Sequence, residues 1–288
     1  MALKISIRRF IQAVFFFIQN PHLKNFFIGR IYQGSLKKIC TPGLNCYSCP
    51  AAVTSCPIGA IQLFIAGSGR SISMFITGFL VISGTILGRF ICGYICPFGL
   101  IQDLLYKIKS PKIKTALRYL KYVKYFILAV FVIALPFFIR HELSGLGDPW
   151  FCKYICPSGM IFGAVPLLAA DQLLHNLLGM QFVIKAAISF GIIVLSVLIF
   201  RFFCRVLCPL GAFYSFFNPI AFLGINCDKE KCTNCTSCAQ ACNIRINPSV
   251  KPNSPECIRC GDCVNACKTQ ALRKGKRQPQ KQPAKASS

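Results

Sequence analysis

Residues 88–99 read GRFICGYICPFG, and residues 200–211 read FRFFCRVLCPLG. Each follows directly on a long apolar run, and each ends in Cys-Pro-x-Gly, a motif that recurs at Cys56-Pro57-Ile58-Gly59 and Cys156-Pro157-Ser158-Gly159. In both halves of the chain one Cys-Pro precedes an apolar run and a Cys-x3-Cys-Pro follows it, the signature of a parallel two-fold repeat. Proline disfavours helical geometry in the residue before it and suits the first helical position, so each cysteine is expected to cap a new helix. Its sulfur then sits beside unpaired N–H groups at the positive end of the helix dipole, a setting that favours thiolate or anionic metal–thiolate chemistry.

Working outward, four apolar stretches, residues 10–28, 72–90, 118–139 and 181–203, approach the roughly 20 residues that a bilayer crossing needs. The expected fold is an all-α transmembrane bundle of about four helices. The first stretch is the weakest, because Asn20, Pro21, His22 and Lys24 interrupt it. Composition agrees with a membrane protein: 54% of the 288 residues are hydrophobic and 14% are charged, against roughly 25% charged in soluble domains. The 33 basic and 8 acidic residues give a net charge of +25, which invites a nucleic-acid reading. The distribution argues instead for topology. Between the second and third stretches Arg89, Lys107, Lys109, Lys112, Lys114, Arg118, Lys121 and Lys124 face Asp103 alone, a positive-inside signal. With Arg8 and Arg9 before the first stretch and a basic C-terminal region, both termini are expected in the cytoplasm of a multi-pass cytoplasmic-membrane protein. Lys24, Arg30, Lys37, Lys38 and Arg70 run against this topology, since they fall on its outer side. The short segments after the Cys-Pro corners, such as LIQDLLYKI from Leu100, are amphipathic and suit the membrane surface.

The 19 cysteines fall into groups. Cys92, Cys96, Cys204 and Cys208 reach one face from two repeat-related corners and form a candidate inner metal site. Cys46, Cys49, Cys56, Cys152 and Cys156 form a candidate outer site, for which the alternative is disulfides such as Cys46/Cys49 or Cys152/Cys156. Cys40 and Cys227 fit no complete pattern. The strongest signal lies between Cys232 and Cys267, where CTNCTSCAQAC and CIRCGDCVNAC are two copies of Cys-x2-Cys-x2-Cys-x3-Cys. Three closely spaced thiolates wrap one cluster while the fourth cysteine ligates the other. This assigns Cys232, Cys235, Cys238 and Cys267 to one 4Fe-4S cluster and Cys257, Cys260, Cys263 and Cys242 to a second. Asn243 and Lys268 stand where proline usually follows the fourth cysteine. His22, His141 and His175 read as solvated or packed side chains near the outer face. The domains expected are 1–71, an N-terminal span and Cys-rich loop; 72–225, the transmembrane repeat; 226–272, a small α+β ferredoxin-like domain; and 273–288, a disordered basic tail.

With both halves read, the chain resembles the membrane-bound polyferredoxins of the NapH/NosR/CcoG type over roughly residues 72–272. The resemblance rests on the Cys-x3-Cys-Pro repeats, the apolar spans and the paired ferredoxin motifs. The segment TPGLNCYSCPAAVTSCPIG is similar to that of 4Fe-4S binding membrane proteins of anaerobes. The resemblance implies electron transfer between a cytoplasmic or quinol donor and a membrane-associated or extracytoplasmic acceptor. It implies a carrier or oxidoreductase subunit rather than a stand-alone enzyme, with one or two further sulfur-ligated iron centres besides the two clusters. A transmembrane thiol–disulfide relay and a maturation factor for a partner metalloenzyme are the alternative readings.

Overall fold

At all four Cys-Pro-x-Gly copies the backbone passes from extended to helical at the cysteine. Cys56, Cys96, Cys156 and Cys208 cap their helices with φ between −75° and −71° and ψ between 110° and 126°, and proline occupies the first turn each time. The computed structural model describes residues 7–67, 73–113, 117, 119–140, 145–170, 176 and 178–277. In chain order its main elements are α1 (Ile7–Gln19), α2 (Pro57–Ala66), α3 (Met74–Leu87), α4 (Pro97–Leu105), α5 (Leu120–Phe138), α6 (Pro157–Ala170), α7 (Met180–Leu198), α8 (Pro209–Phe217), β1 (Leu223–Cys227) and β2 (Leu272–Lys276).

Of the four expected spans, two reach crossing length. Helices α5 and α7 each have 19 residues, with mean hydropathy of 1.8 and 2.1, and at 1.5 Å per residue each is about 28 Å long. Only 22% and 17% of their apolar windows are buried, so both turn most of their apolar side chains outward. The other two stretches are helical but shorter. Helix α3 has 14 residues and stops at Gly88, whose φ of +53° suits glycine. Helix α1 has 13 residues and stops before Pro21. It packs inside out, with Arg8, Gln12 and Gln19 buried and Phe10, Phe17 and Ile18 exposed.

The inward polar face of α1 meets the buried face of α4, the segment after the second corner. Helix α4 is drawn into the core, where Asp103 accepts bonds from Arg8 Nη1 (2.6 Å) and from Arg201 Nε and Nη2 (2.7 and 2.6 Å). Burial raises the Asp103 pKa, but Arg201 and then Arg8 outweigh it and hold the carboxyl below its ordinary value.

The ferredoxin domain is larger than residues 226–272. Strand β1 begins at Leu223 and pairs antiparallel with β2, from Leu223 opposite Lys276 to Cys227 opposite Leu272. The expectation of a disordered tail from residue 273 therefore fails for Arg273–Lys276, because that segment supplies the partner for β1; residues 278–288 lie outside the described residues. The domain is fused to the bundle. Glu256 accepts from Arg89 (2.8 Å) and Lys124 (2.6 Å), both fully buried. Arg259 donates to the Leu87 and Asn218 carbonyls, and Tyr94 Oη to the Cys260 carbonyl. A side chain at Gly93 would come within 2.6 Å of the Ile258 carbonyl, so that contact requires glycine.

Candidate iron–sulfur sites

Cys232, Cys235, Cys238 and Cys267 rim one cavity. The wrapping loop needs left-handed backbone twice, at Asn234 and Thr236 (φ 53° and 57°), and the second motif repeats this at Arg259 and Gly261 (φ 55° and 89°). The second group is more deeply placed: Cys242, Cys257 and Cys263 are buried, and Cys260, Cys257 and Cys242 all act electrostatically on Cys263. Cys238 of the first group acts on it too, so the two ferredoxin groups adjoin. Cys235 is exposed, which puts the first group at the surface.

The inner cysteines come together. Cys92, Cys96, Cys204 and Cys208 line one cavity, whose other walls are Pro42, Gly43, Leu44, Ile91, Phe98, Leu210 and Gly211. Their sulfurs receive N–H donors: Leu44 N to Cys96 Sγ (3.4 Å), Gly211 N to Cys208 Sγ (3.3 Å) and Gln102 Nε2 to Cys204 Sγ (2.9 Å). The third residue beyond the cysteine is glycine at every copy, and at Cys208 it supplies such a donor, Gly211 N. This gives that glycine its place at the sulfur.

Cys46, Cys56, Cys152 and Cys156 line a cavity with Leu44, Tyr47, Ser48, Ser158, Gly159 and Lys185. Cys49 is not among them; it is fully buried, with its thiol 3.6 Å from Asn20 Oδ1. All nineteen cysteines are free thiols, so neither of the disulfides weighed above is formed. Leu44 lines both the inner and the outer cavity. The two cysteine sets are therefore neighbours. Residues 40–56 turn back into the bundle, with Cys40 bridged to Ser55 and Leu44 and Asn45 buried. Cys40 lines none of the cysteine cavities, while Cys227 lies beside Cys232 at the first ferredoxin site.

Sequence reasoning missed two sets of residues. One is the pair of corner arginines, each aligned three residues before a Cys-x3-Cys-Pro. Arg89 Nη2 donates to the Cys204 carbonyl (3.1 Å) and Arg201 Nη1 to the Cys92 carbonyl (2.5 Å), so each half clamps the other. Arg89 also acts on Cys257, which places it between the second ferredoxin group and the inner site. The other set is glutamine, at the sixth residue beyond Cys56 and Cys96. The signal for both was present, since Arg89/Arg201 and Gln62/Gln102 occupy matching positions in the repeat.

The donor sets fit iron–sulfur clusters. Each of the three cavities is ringed by four thiols, the ligand type of such clusters. Burial pushes Cys156 up to about 11 and Cys204 and Cys260 up to about 12. Free thiols there are neutral at pH 7, and metal binding would displace their protons.

The 4Fe-4S binding domain family matches residues 69–116 and 185–223, which are the two segments that carry the inner cysteines and their flanking helices. An uncharacterised protein of Methanocaldococcus jannaschii is 31% identical over 75% of this chain and 84% of its own length. The methylamine utilization ferredoxin-type protein MauN of Methylorubrum extorquens is 28% identical over 73% of this chain and 66% of its own. The chain belongs to the family of the Methanocaldococcus jannaschii protein, and it is similar to ferredoxin-type proteins. The ferredoxin-type protein NapH of Escherichia coli is 22% identical over 62% of this chain and 59% of its own. No solved structure matches the chain.

Proposed function

We propose that the chain is a membrane electron carrier with four cysteine-lined iron–sulfur sites in succession: the two ferredoxin sites, the inner site and the outer site. When bound, the clusters supply one-electron chemistry. The observation that carries the proposal is the shared wall at Leu44, which sets the inner and outer cavities side by side and so extends the ferredoxin module into the bundle. The chain's residues hold the sulfurs and exclude water. Ile91, Phe98 and Leu210, each at 2% exposure or less, close the inner cavity.

In this reading α5 and α7 cross the bilayer, which their outward apolar faces support, because a core helix of that hydropathy would be buried. Both termini and the ferredoxin domain lie on the cytoplasmic side. The exposed first site exchanges electrons with a cytoplasmic donor or the quinol pool, and the outer site with a membrane-associated or extracytoplasmic redox partner. A dithiol relay needs accessible sulfurs, and the inner four are all buried.

The test compares anaerobically purified wild type with the Cys92→Ser, Cys208→Ser double variant by EPR after reduction. Wild type should show paramagnetic centres beyond those of the ferredoxin module, and the variant should lose the inner one while Cys232–Cys267 signals persist. Identical spectra and identical iron content would remove the inner site.

A further inference from the structure

The sixth residue beyond the cysteine of Cys-Pro-x-Gly is Gln62 in the first copy and Gln102 in the second, and both side chains are fully buried. Each reaches across to the other half and makes the same two bonds. Gln62 Nε2 donates to Cys152 Sγ (3.2 Å) while its Oε1 accepts from Phe151 N (3.0 Å). Gln102 Nε2 donates to Cys204 Sγ (2.9 Å) while its Oε1 accepts from Phe203 N (3.1 Å). The orientation follows from chemistry: a backbone N–H can only donate, so the amide end facing it is oxygen and the NH2 end faces sulfur. The second-half copies hold Phe162 and Tyr214 at this position, and Tyr214 Oη donates instead to the Pro42 carbonyl (2.9 Å). Each cavity thus has one glutamine, always on the first cysteine of the partner half's Cys-x3-Cys-Pro.

We propose that Gln62 and Gln102 are positioning residues that set the reduction potentials of the outer and inner sites, each by holding one amide N–H on a ligand sulfur. The inference rests on the reading of those cysteines as cluster ligands. Reduction adds negative charge that is shared by the ligating sulfurs, and an N–H aimed at such a sulfur stabilises the reduced form, raising the potential. In an interior of low dielectric the bond is stronger than in water. The backbone bond to Oε1 keeps the amide from flipping, so the donor is fixed before reduction occurs.

The experiment is a potentiometric EPR titration of the full-length protein, purified anaerobically, as wild type, Gln102→Met, Gln102→Glu and Gln62→Met, with iron and sulfide measured on each. Methionine keeps length and removes the donor; glutamate keeps the acceptor for the Phe203 N–H and loses the amide donor. Each methionine variant should retain its iron and shift one centre, a different one for each glutamine, to lower potential by about tenfold in the reduction equilibrium, ~59 mV for one electron. Gln102→Glu should shift the same centre as Gln102→Met at least as far, and the ferredoxin centres should stay in place. Retained iron with unmoved potentials, or loss of iron from both Gln102 variants, would make the glutamines braces only and overturn the inference while the proposed function stands. Wild type holding only the iron of the ferredoxin module would overturn both.

Discussion

Asp103 is a single side chain that joins two distant arginines, Arg8 and Arg201. In sequence it is the lone acid in a basic connection, and that reading of charge balance misses its role, because its partners Arg8 and Arg201 are 95 and 98 residues away. All three side chains are buried. Removing one partner of such a network leaves buried charge uncompensated, at about 3–5 kcal/mol. Asp103→Asn should therefore lower the thermal unfolding midpoint in detergent and release inner-site iron before ferredoxin iron; an unchanged midpoint would refute the role. The pH dependence has a definite sign. Because the folded Asp103 carboxyl is held below its ordinary value, its stabilisation is complete above about pH 4. It is lost only as pH falls through the depressed value, so an acid titration should leave the inner site intact at pH 5 and lose it at stronger acidity.

At the scale of elements, legibility followed the kind of signal each segment carries. The four capped corners were readable because proline imposes the same backbone at every copy. Helices α5 and α7 were readable as long apolar runs, interrupted only near their starts by Lys121 and Lys124 and by Lys185. Helix α1 ends at Gln19, within the stretch that the sequence marks as the weakest, and its polar inward face, Arg8, Gln12 and Gln19, was hidden because hydropathy averages the two faces. Strand β2 was hidden by composition: LRKGK carries three basic residues and a glycine, and only Leu272 is buried. Its order comes from β1, a partner some 50 residues away, as in Asn226 Nδ2 to the Lys276 carbonyl. Ending the chain after Leu272 should thus leave β1 unpaired and reduce the iron of the first ferredoxin site, whereas ending it after Arg277 should not; equal iron in both truncations would contradict the pairing.

For the whole molecule, the cysteine groups were legible as groups but not as neighbours. Spacing within CTNCTSCAQAC or GRFICGYICPFG is local, whereas the adjacency of the inner and outer cavities depends on residues 40–56 folding back so that Leu44 lines both. The union of ferredoxin domain and bundle likewise depends on Glu256. Burial raises its pKa, but Arg89 and Lys124 outweigh that and hold the carboxyl below its ordinary value. Glu256→Gln would leave two buried cations short of their anion, and limited proteolysis between α8 and β1 should then cut faster than in wild type; an unchanged rate would show that the remaining contacts suffice.

The most direct measurement is iron and acid-labile sulfide per chain in protein purified with strict exclusion of oxygen and extracted from the membrane fraction with detergent. Four thiolate-lined sites, each holding a four-iron cluster, predict about 16 iron and 16 sulfide per chain. A value of about 8 of each would confine clusters to the ferredoxin module and contradict the account of the bundle.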